Sequence, residues 1–161
     1  DVYKRQEKYT VHNGEEHEKA KKIAEQVKST RDDKKKMELF HEFYAMIDGH
    51  HTAEEKVVFP YLMDRVKTIK DRDLINEMIE EHHLGMYQFS VVNKTFLENE
   101  TWDPKFSVLF EVLEHHMDEE VEELMPLAKK ILSEEEDIEL CEKFEEVMKE
   151  AKQERMDYLK K

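Results

Sequence analysis

The chain has one cysteine, three glycines and three prolines among its 161 residues. A lone cysteine, Cys141, allows no intrachain disulfide and excludes a zinc or iron–sulfur site built from cysteines. So few glycines and prolines leave few places for turns, which argues against a many-stranded β fold. No apolar run approaches the roughly 18 residues that span a bilayer, and the first residues lack the apolar stretch of a secretory signal. These absences predict a soluble cytoplasmic protein with no membrane partner.

Charged residues make up 41% of the chain and hydrophobic residues 39%, a mixture typical of long amphipathic helices. The 26 basic and 40 acidic residues give a net charge of −14. Nucleic acid and anionic membrane surfaces carry the same sign of charge, so neither is an expected partner. The length suits one domain with one substantial core, and we expect residues 1–161 to form that domain.

Apolar residues at helical spacing predict four long helices, at about residues 13–27, 33–69, 71–97 and 105–132, and a fifth at about 134–159. Asn13 is the predicted N-cap of the first helix, and Ser133 with Glu136 predicts a capping box at the last. Pro60 and Pro126 fall inside the second and fourth helices, where a proline predicts a kink. Short connections favour an all-α, up-down-up-down four-helix bundle over about residues 12–130, with the fifth helix as additional packing.

The pattern His-x3-Glu-x5-Pro occurs twice, beginning at His50 and at His116. A Glu-His pair precedes each copy, with its histidine 33 residues before His50 and 34 before His116. The period of 65–66 residues repeats side chains that bind metals, and it predicts a metal held between two helical hairpins. The six candidate metal ligands are His17, His50, Glu54, His82, His116 and Glu120.

Positions four apart lie on one face of a helix, so the histidine and glutamate of each copy can bind one metal centre. Four imidazoles and two carboxylates suit iron, manganese or zinc, whereas calcium and magnesium prefer oxygen ligands. Each carboxylate can bridge two metals, and two divalent cations would balance the carboxylate charge in an apolar core. Ordinary core packing explains any one of the six residues but not the repeated set.

This doubled motif resembles the hemerythrin-like, or HHE cation-binding, family, over about residues 12–130. The family's pattern is a Glu-His on helices one and three, and a His-x3-Glu followed by a proline on helices two and four. The resemblance implies a hemerythrin-like four-helix bundle around two iron ions with an oxo or hydroxo bridge, which handle dioxygen or a related small oxidant. The four histidines would be terminal iron ligands, and Glu54 and Glu120 the bridging carboxylates.

The sequence departs from the oxygen-carrying hemerythrins on its third helix. Those proteins place two histidines four apart there, whereas methionines stand four residues before and after His82. A fifth nitrogen could come from His51, His83 or His115. Each lies about 100° around its helix from the neighbouring candidate ligand, so pointing it inward would shift the whole apolar stripe. Without a fifth histidine, sensing, storage or reactivity toward oxygen, peroxide or nitric oxide is expected before reversible oxygen carriage.

Other residues near the motifs have simpler interpretations. Glu16 and Glu81 precede ligand histidines and could hold their tautomers. His12 and His41 match no position of the repeat and are predicted to lie on the surface. A solvated face is predicted at Glu55, Glu119, Glu122 and Glu123.

Four functions remain open from the sequence, and it does not decide whether the protein is an enzyme. The leading hypothesis is a non-haem di-iron protein that binds dioxygen, nitric oxide or peroxide, or senses iron, with manganese or zinc as other possible metals. An oxidase or peroxidase-like enzyme could use Tyr44, Tyr61 or Tyr87 as a redox partner. Ferritin-like iron oxidation is expected least, because only Glu80-x2-His83 matches the Glu-x2-His pattern of that class. The non-catalytic alternative is a metal-free acidic helical module that binds a basic partner.

Overall fold

The computed structural model describes residues 6–161, which form helices and no strand. The first element is helix α1 (Tyr9–Ser29). The second comprises α2 (Asp33–Ala53), a π-helical turn (Glu54–Val58) and α3 (Phe59–Met63). After α4 (Ile69–Asn93), the fourth element repeats the second, with α5 (Trp102–Glu119), a π-helical turn (Glu120–Leu124) and α6 (Met125–Ile131). Helix α7 (Glu134–Lys160) follows. Among these described helices, none is long and apolar enough to cross a membrane.

Three helix boundaries predicted from the sequence are wrong. The second element ends at Met63 rather than near Ile69, which is the first residue of α4. Helix α1 begins at Tyr9 rather than after Asn13, which lies buried within the helix, and Lys8 at the N-cap makes no side-chain capping bond. Tyr9 is fully buried, so packing of the first turn replaces a cap as the reason for this start. Helix α4 ends at Asn93 rather than near residue 97, and Phe96, within the predicted range, is 83% exposed. The capping box of Ser133 is present at α7, as predicted.

The kinks predicted at the two prolines are π-helical turns that begin at the motif glutamates. In the first, the N–H of Phe59 bonds to the carbonyl of Glu54, five residues back. The second repeats this bond between Met125 and Glu120. A proline directly follows the donor in both copies and has no N–H to continue the regular ladder. The wider turn satisfies the backbone there and sets the direction of the motif glutamate.

Apolar side chains form two clusters along the bundle. The Trp102 cluster includes Phe40, Phe89, Trp102 and Phe106. The Phe144 cluster includes Phe59, Leu62, Ile75 and Phe144. Helices α2 and α5 run from the first cluster to the second, whereas α1 and α4 run the opposite way. The predicted up-down-up-down bundle is therefore confirmed, and the motif residues lie between the two clusters.

Helix α7 packs mainly along α2, where the main chains approach closely at Gly49. A Cβ atom at Gly49 would lie 2.8 Å from the carbonyl oxygen of Met148, closer than folded proteins tolerate. Glycine therefore allows α7 to lie against α2 beside His50. Arg155 strengthens the contact through its Nε, which donates to Asp48 at 2.8 Å.

Candidate metal centre

The six ligands predicted from the sequence come together in one buried layer. Each is at most 5% exposed, and both glutamates are fully buried. Glu54 Oε1 lies 3.4 Å from His50 Nε2 and 3.2 Å from His82 Nε2. Glu54 thus joins histidines from two different helical elements.

Glu120 makes the corresponding contacts in the second copy of the motif. Its Oε2 lies 3.2 Å from His17 Nε2 and 3.2 Å from His116 Nε2. Oxygen atoms of Glu54 and Glu120 lie within 4.8 Å of each other and of a ring nitrogen of His116. The two carboxylates therefore meet in the middle of the histidine layer.

His51 is a seventh member of this layer that the ligand prediction from the sequence left out. It is 3% exposed, and its ring stacks on His82 with centroids 3.7 Å apart and planes inclined by 7°. A ring nitrogen of His51 lies within 4.8 Å of ring nitrogens of His82 and His116. The other two candidates for a fifth nitrogen, His83 and His115, have side chains 62% and 74% exposed.

The expectation that an inward His51 would shift the apolar stripe of its helix is wrong. Helix α2 is buried on several sides, including four consecutive residues from Tyr44 to Ile47, because α7 covers a face that a four-helix bundle leaves to solvent. The ring of Phe144 on α7 lies 5.1 Å from that of His50. His50 and His51 are thus both enclosed, although they differ by about 100° around the helix.

The donors divide into two sets that share the carboxylates. His51, His82 and His116 form one group, and His17 and His50 group with Glu120. Among the described residues, seven side-chain nitrogen and oxygen atoms of these ligands have no hydrogen-bond partner. A buried polar atom left unpaired costs about 1–3 kcal/mol. Metal ions at the centre would satisfy those of the seven atoms that face it, such as Glu54 Oε1, Glu120 Oε1 and His82 Nε2, so the residues fit a metal site.

Acidic side chains hold two of the histidines from behind. Glu81 Oε1 lies 2.7 Å from Nδ1 of His116, and Glu55 Oε2 lies 3.4 Å from Nδ1 of His82. Both contacts leave Nε2 directed at the centre, as outer partners of metal-binding histidines do. Glu55 therefore contacts a candidate ligand, and its side chain is also 36% exposed, in part as the predicted solvated face requires. Glu16 does not hold His17 but lies 3.2 Å from Nε2 of His12.

A buried tyrosine contacts the centre, and it is not one of the three singled out from the sequence. The Tyr9 hydroxyl donates to Glu54 Oε2 at 2.7 Å. Tyr44 is buried but stacks on Phe89 in the Trp102 cluster, and Tyr87 is 69% exposed. The one sequence signal for Tyr9 is its spacing of eight residues before His17, which places it two turns earlier on a similar face of α1.

Charge within the layer sets its protonation in the absence of metal. Burial disfavours the ionised form of Glu54, but the charge of His50 and hydrogen bonds within the layer outweigh it and lower the pKa of Glu54 well below the ordinary value. Burial opposes charge on His116 too, yet Glu120 and Glu81 raise its pKa to about 10. Burial and the neighbouring histidines lower the pKa of His51 well below the ordinary value. Metals that bind here displace protons from the cationic histidines.

Comparison with known proteins identifies the family. The model of the hemerythrin HHE cation binding domain matches residues 14–128. The chain belongs to this family. An uncharacterized hemerythrin-like protein of Schizosaccharomyces pombe is 27% identical over 138 residues. The matched region covers 83% of this chain and 66% of that protein, so the chain spans just under two thirds of the relative's length. A hemerythrin HHE cation binding domain-containing protein of Mycobacterium kansasii has a crystal structure that matches with a TM-score of 0.81 at 22% identity, over 92% of this chain and 89% of that one.

The family match and the geometry agree on where a cation would bind. Residues 14–128 include every candidate ligand from His17 to Glu120 and end before α7. Membership of a cation-binding family and the buried His/Glu layer together support a metal site in a helical bundle.

Proposed function

We propose that this chain is a non-haem di-iron protein whose His/Glu centre binds dioxygen, nitric oxide or peroxide, or senses iron through its occupancy. The observation that carries the proposal is the pair of histidine sets joined by two buried carboxylates. His51, His82 and His116 would hold one iron, and His17 and His50 the other. Glu54 and Glu120 would serve both. Iron bound by such ligands supplies a redox couple and open positions for small oxygen-type ligands.

The space beside the centre suits a very small ligand. A cavity of about 10 Å³ adjoins both sets of histidines, including His17, His50 and His116. Its other walls include apolar side chains from three helices: Ala20, Met46, Ile47, Leu113 and Met117. This volume is about the least that holds one water-sized molecule. It has room for one water-sized molecule beside the centre and none for an organic substrate.

The chain itself contributes orientation and exclusion of water. Glu81 and Glu55 hold the rings of His116 and His82, and Tyr9 holds Glu54. The Trp102 and Phe144 clusters close the layer from both sides, so a charge change at the centre is little screened by solvent. Interactions between the two carboxylates and a bound ion are therefore stronger here than they would be in water.

An anaerobic titration with ferrous iron tests the proposal. We expect saturation at two irons per chain, a rise in the melting temperature as iron binds only the folded state, and near-ultraviolet absorption bands on exposure to air. The variant His116→Ala should lose iron, whereas His115→Ala, one residue away on the exposed face, should retain both ions. Saturation at one iron or fewer in the unmodified chain would contradict the proposal.

A peroxidase-like or oxidase activity is the second candidate, favoured by the buried Tyr9 hydroxyl on Glu54. Steady consumption of peroxide with an added reductant, slowed in Tyr9→Phe, would support it. The ferritin-like alternative loses its one sequence match, because the side chains of Glu80 and His83 are 75% and 62% exposed. The metal-free module is opposed by the seven unpaired polar atoms of the layer.

A further inference from the structure

A second group of side chains able to bind a metal lies where the start of α1 meets α7. Glu7, His12, Cys141 and Glu145 each offer one donor atom, and these atoms lie within 4.8 Å of one another. His12, predicted on the surface from the sequence, is 6% exposed, and Cys141 is 2% exposed. No residue of this group is a ligand of the di-iron centre proposed above.

Local structure brings the four donors to one point. Cys141 and Glu145 are four residues apart on α7 and therefore share a face. Glu7 precedes α1, and His12 lies in its first turn. Nδ1 of His12 is 2.9 Å from Glu7 Oε2 and 3.7 Å from Glu145 Oε1. Tetrahedral zinc, with bonds of about 2.0–2.3 Å, separates its ligand atoms by about 3.3–3.8 Å, so small side-chain movements would seat all four.

The surroundings of the group are strongly negative. Burial, followed by the charges of Glu145, Glu7 and Asp137, raises the pKa of Cys141 to about 12. Glu16 adds a further carboxylate 3.2 Å from the other ring nitrogen of His12. Within residues 6–161, no lysine or arginine forms an ion pair with Glu7 or Glu145. A bound divalent cation would balance this charge and ionise the thiol.

We propose that Glu7, His12, Cys141 and Glu145 form a second metal site, which binds one divalent transition-metal ion of the zinc type and ties α7 to the start of α1. One nitrogen, one sulfur and two carboxylate oxygens match the ligands that zinc takes in four-coordinate sites. A thiolate also selects against calcium and magnesium, which prefer oxygen. Because the site joins the start of α1 to α7, its occupancy should stabilise the docking of α7.

Cobalt is a direct optical probe of this site. Cys141 is the only cysteine of the chain, so a sulfur-to-cobalt charge-transfer band can arise only here. Cobalt titrated into the metal-free full chain should produce this band, and the band intensity should saturate when one cobalt ion is bound at this site. Added zinc should displace the cobalt and abolish the band. Cys141→Ser should remove the band. His12→Gln and Glu145→Gln should weaken cobalt binding by more than the roughly 10–100-fold that loss of an outer hydrogen-bond partner costs.

Glu146→Gln is the matched control, because it makes the same charge change one residue further along α7 at an exposed position. It should keep the band at unchanged affinity, and circular dichroism should show each variant folded. Absence of the band in the unmodified chain would overturn the proposal. A band of unchanged affinity in both His12→Gln and Glu145→Gln would also overturn it, because the thiol would then bind cobalt alone. Failure of ferrous binding with the cobalt–sulfur band retained would refute the di-iron proposal only.

Discussion

Replacing Tyr9 with phenylalanine isolates the contribution of one hydrogen bond to the metal centre. The Tyr9 ring is fully buried and packs against Phe144 with centroids 5.3 Å apart, so the variant retains the packing of the ring. What it loses is the hydroxyl that donates to Glu54 Oε2 at 2.7 Å. Burial and the charge of Glu54 raise the pKa of Tyr9 well above its ordinary value, so the hydroxyl keeps its proton at neutral pH and serves as a donor.

The expected magnitude follows from the charge of the acceptor. A hydrogen bond to an ionised group contributes about 1.5–3 kcal/mol to stability, and the metal-free Tyr9→Phe protein should lose about that much. In the proposed di-iron centre, the same bond would hold Glu54 in the orientation that serves the ions. At about 1.4 kcal/mol for each tenfold in affinity, its loss should weaken metal binding by about 10–100-fold, the range seen for outer partners of metal ligands.

Tyr61→Phe is the matched control for Tyr9→Phe. The Tyr61 hydroxyl also donates to a carboxylate, Glu136, but at a partly exposed position away from the centre. Competition with a chelator of known affinity would give the metal affinity of each variant, and urea unfolding would give its stability. Tyr61→Phe should leave the metal affinity unchanged. Equal metal affinity in Tyr9→Phe and the unmodified chain would refute the idea that this bond positions Glu54.

Three further predictions concern the donor set, the packing of α7 and the effect of pH. His51→Ala should reduce the iron content from two ions to one or weaken one of two binding steps in a ferrous titration, whereas His83→Ala, at an exposed ring, should change neither. Gly49→Ala should lower the free energy of unfolding, measured in urea, by about 1–3 kcal/mol, because the new methyl group overpacks against Met148. The control Gly14→Ala has open space around its Cβ and should raise the free energy of unfolding by about 0.5–1 kcal/mol. The metal-free protein should lose stability as pH rises from 6.5 toward about 10, because three ligand histidines have a raised pKa in the folded state and stabilise it only while protonated. Metal affinity should rise over the same pH range, since protons compete with metal for these rings. In thermal melts at several pH values, the melting temperature of the metal-free protein should fall with pH, and the increase in melting temperature caused by metal should grow.

The meeting of the six repeated residues in one layer was predictable because their geometry is mostly local. A spacing of four fixes a shared helix face whatever the rest of the chain does, and the repeat applies this constraint twice. The proline six residues after Glu54 likewise predicted a break in the helix. The sequence could not predict that this break is a π-helical turn beginning at Glu54. A proline is compatible with several backbone geometries that relieve the lost hydrogen bond, so only the structure shows which one is present.

Tyr9 and His12 escaped prediction because both precede the predicted start of the first helix and of the repeat. The capping preference of asparagine placed the start of that helix at Asn13 and left Tyr9 outside the bundle, and His12 was assigned to the surface because it matches no position of the repeat. In the structure, Asn13 is buried and the helix begins one turn earlier. Tyr9 enters the Phe144 cluster, and Thr10 binds Asp137 of α7 through its backbone N–H at 3.0 Å and its hydroxyl at 2.6 Å. Packing against a distant helix therefore outweighed a local capping signal.

Helix α7 connects these departures from the sequence prediction. It carries no ligand of the proposed di-iron centre and lies outside the range that matches the family model. Yet it covers α2 at Gly49, places Phe144 against His50 and binds the first turn of α1 through Asp137. By covering the side of α2 next to His50, it keeps His50 enclosed, while His51 is buried on the other side against His82. The enclosure of a candidate ligand therefore depends on a helix with no donor to that centre, and weakening its docking should affect metal binding as well as stability.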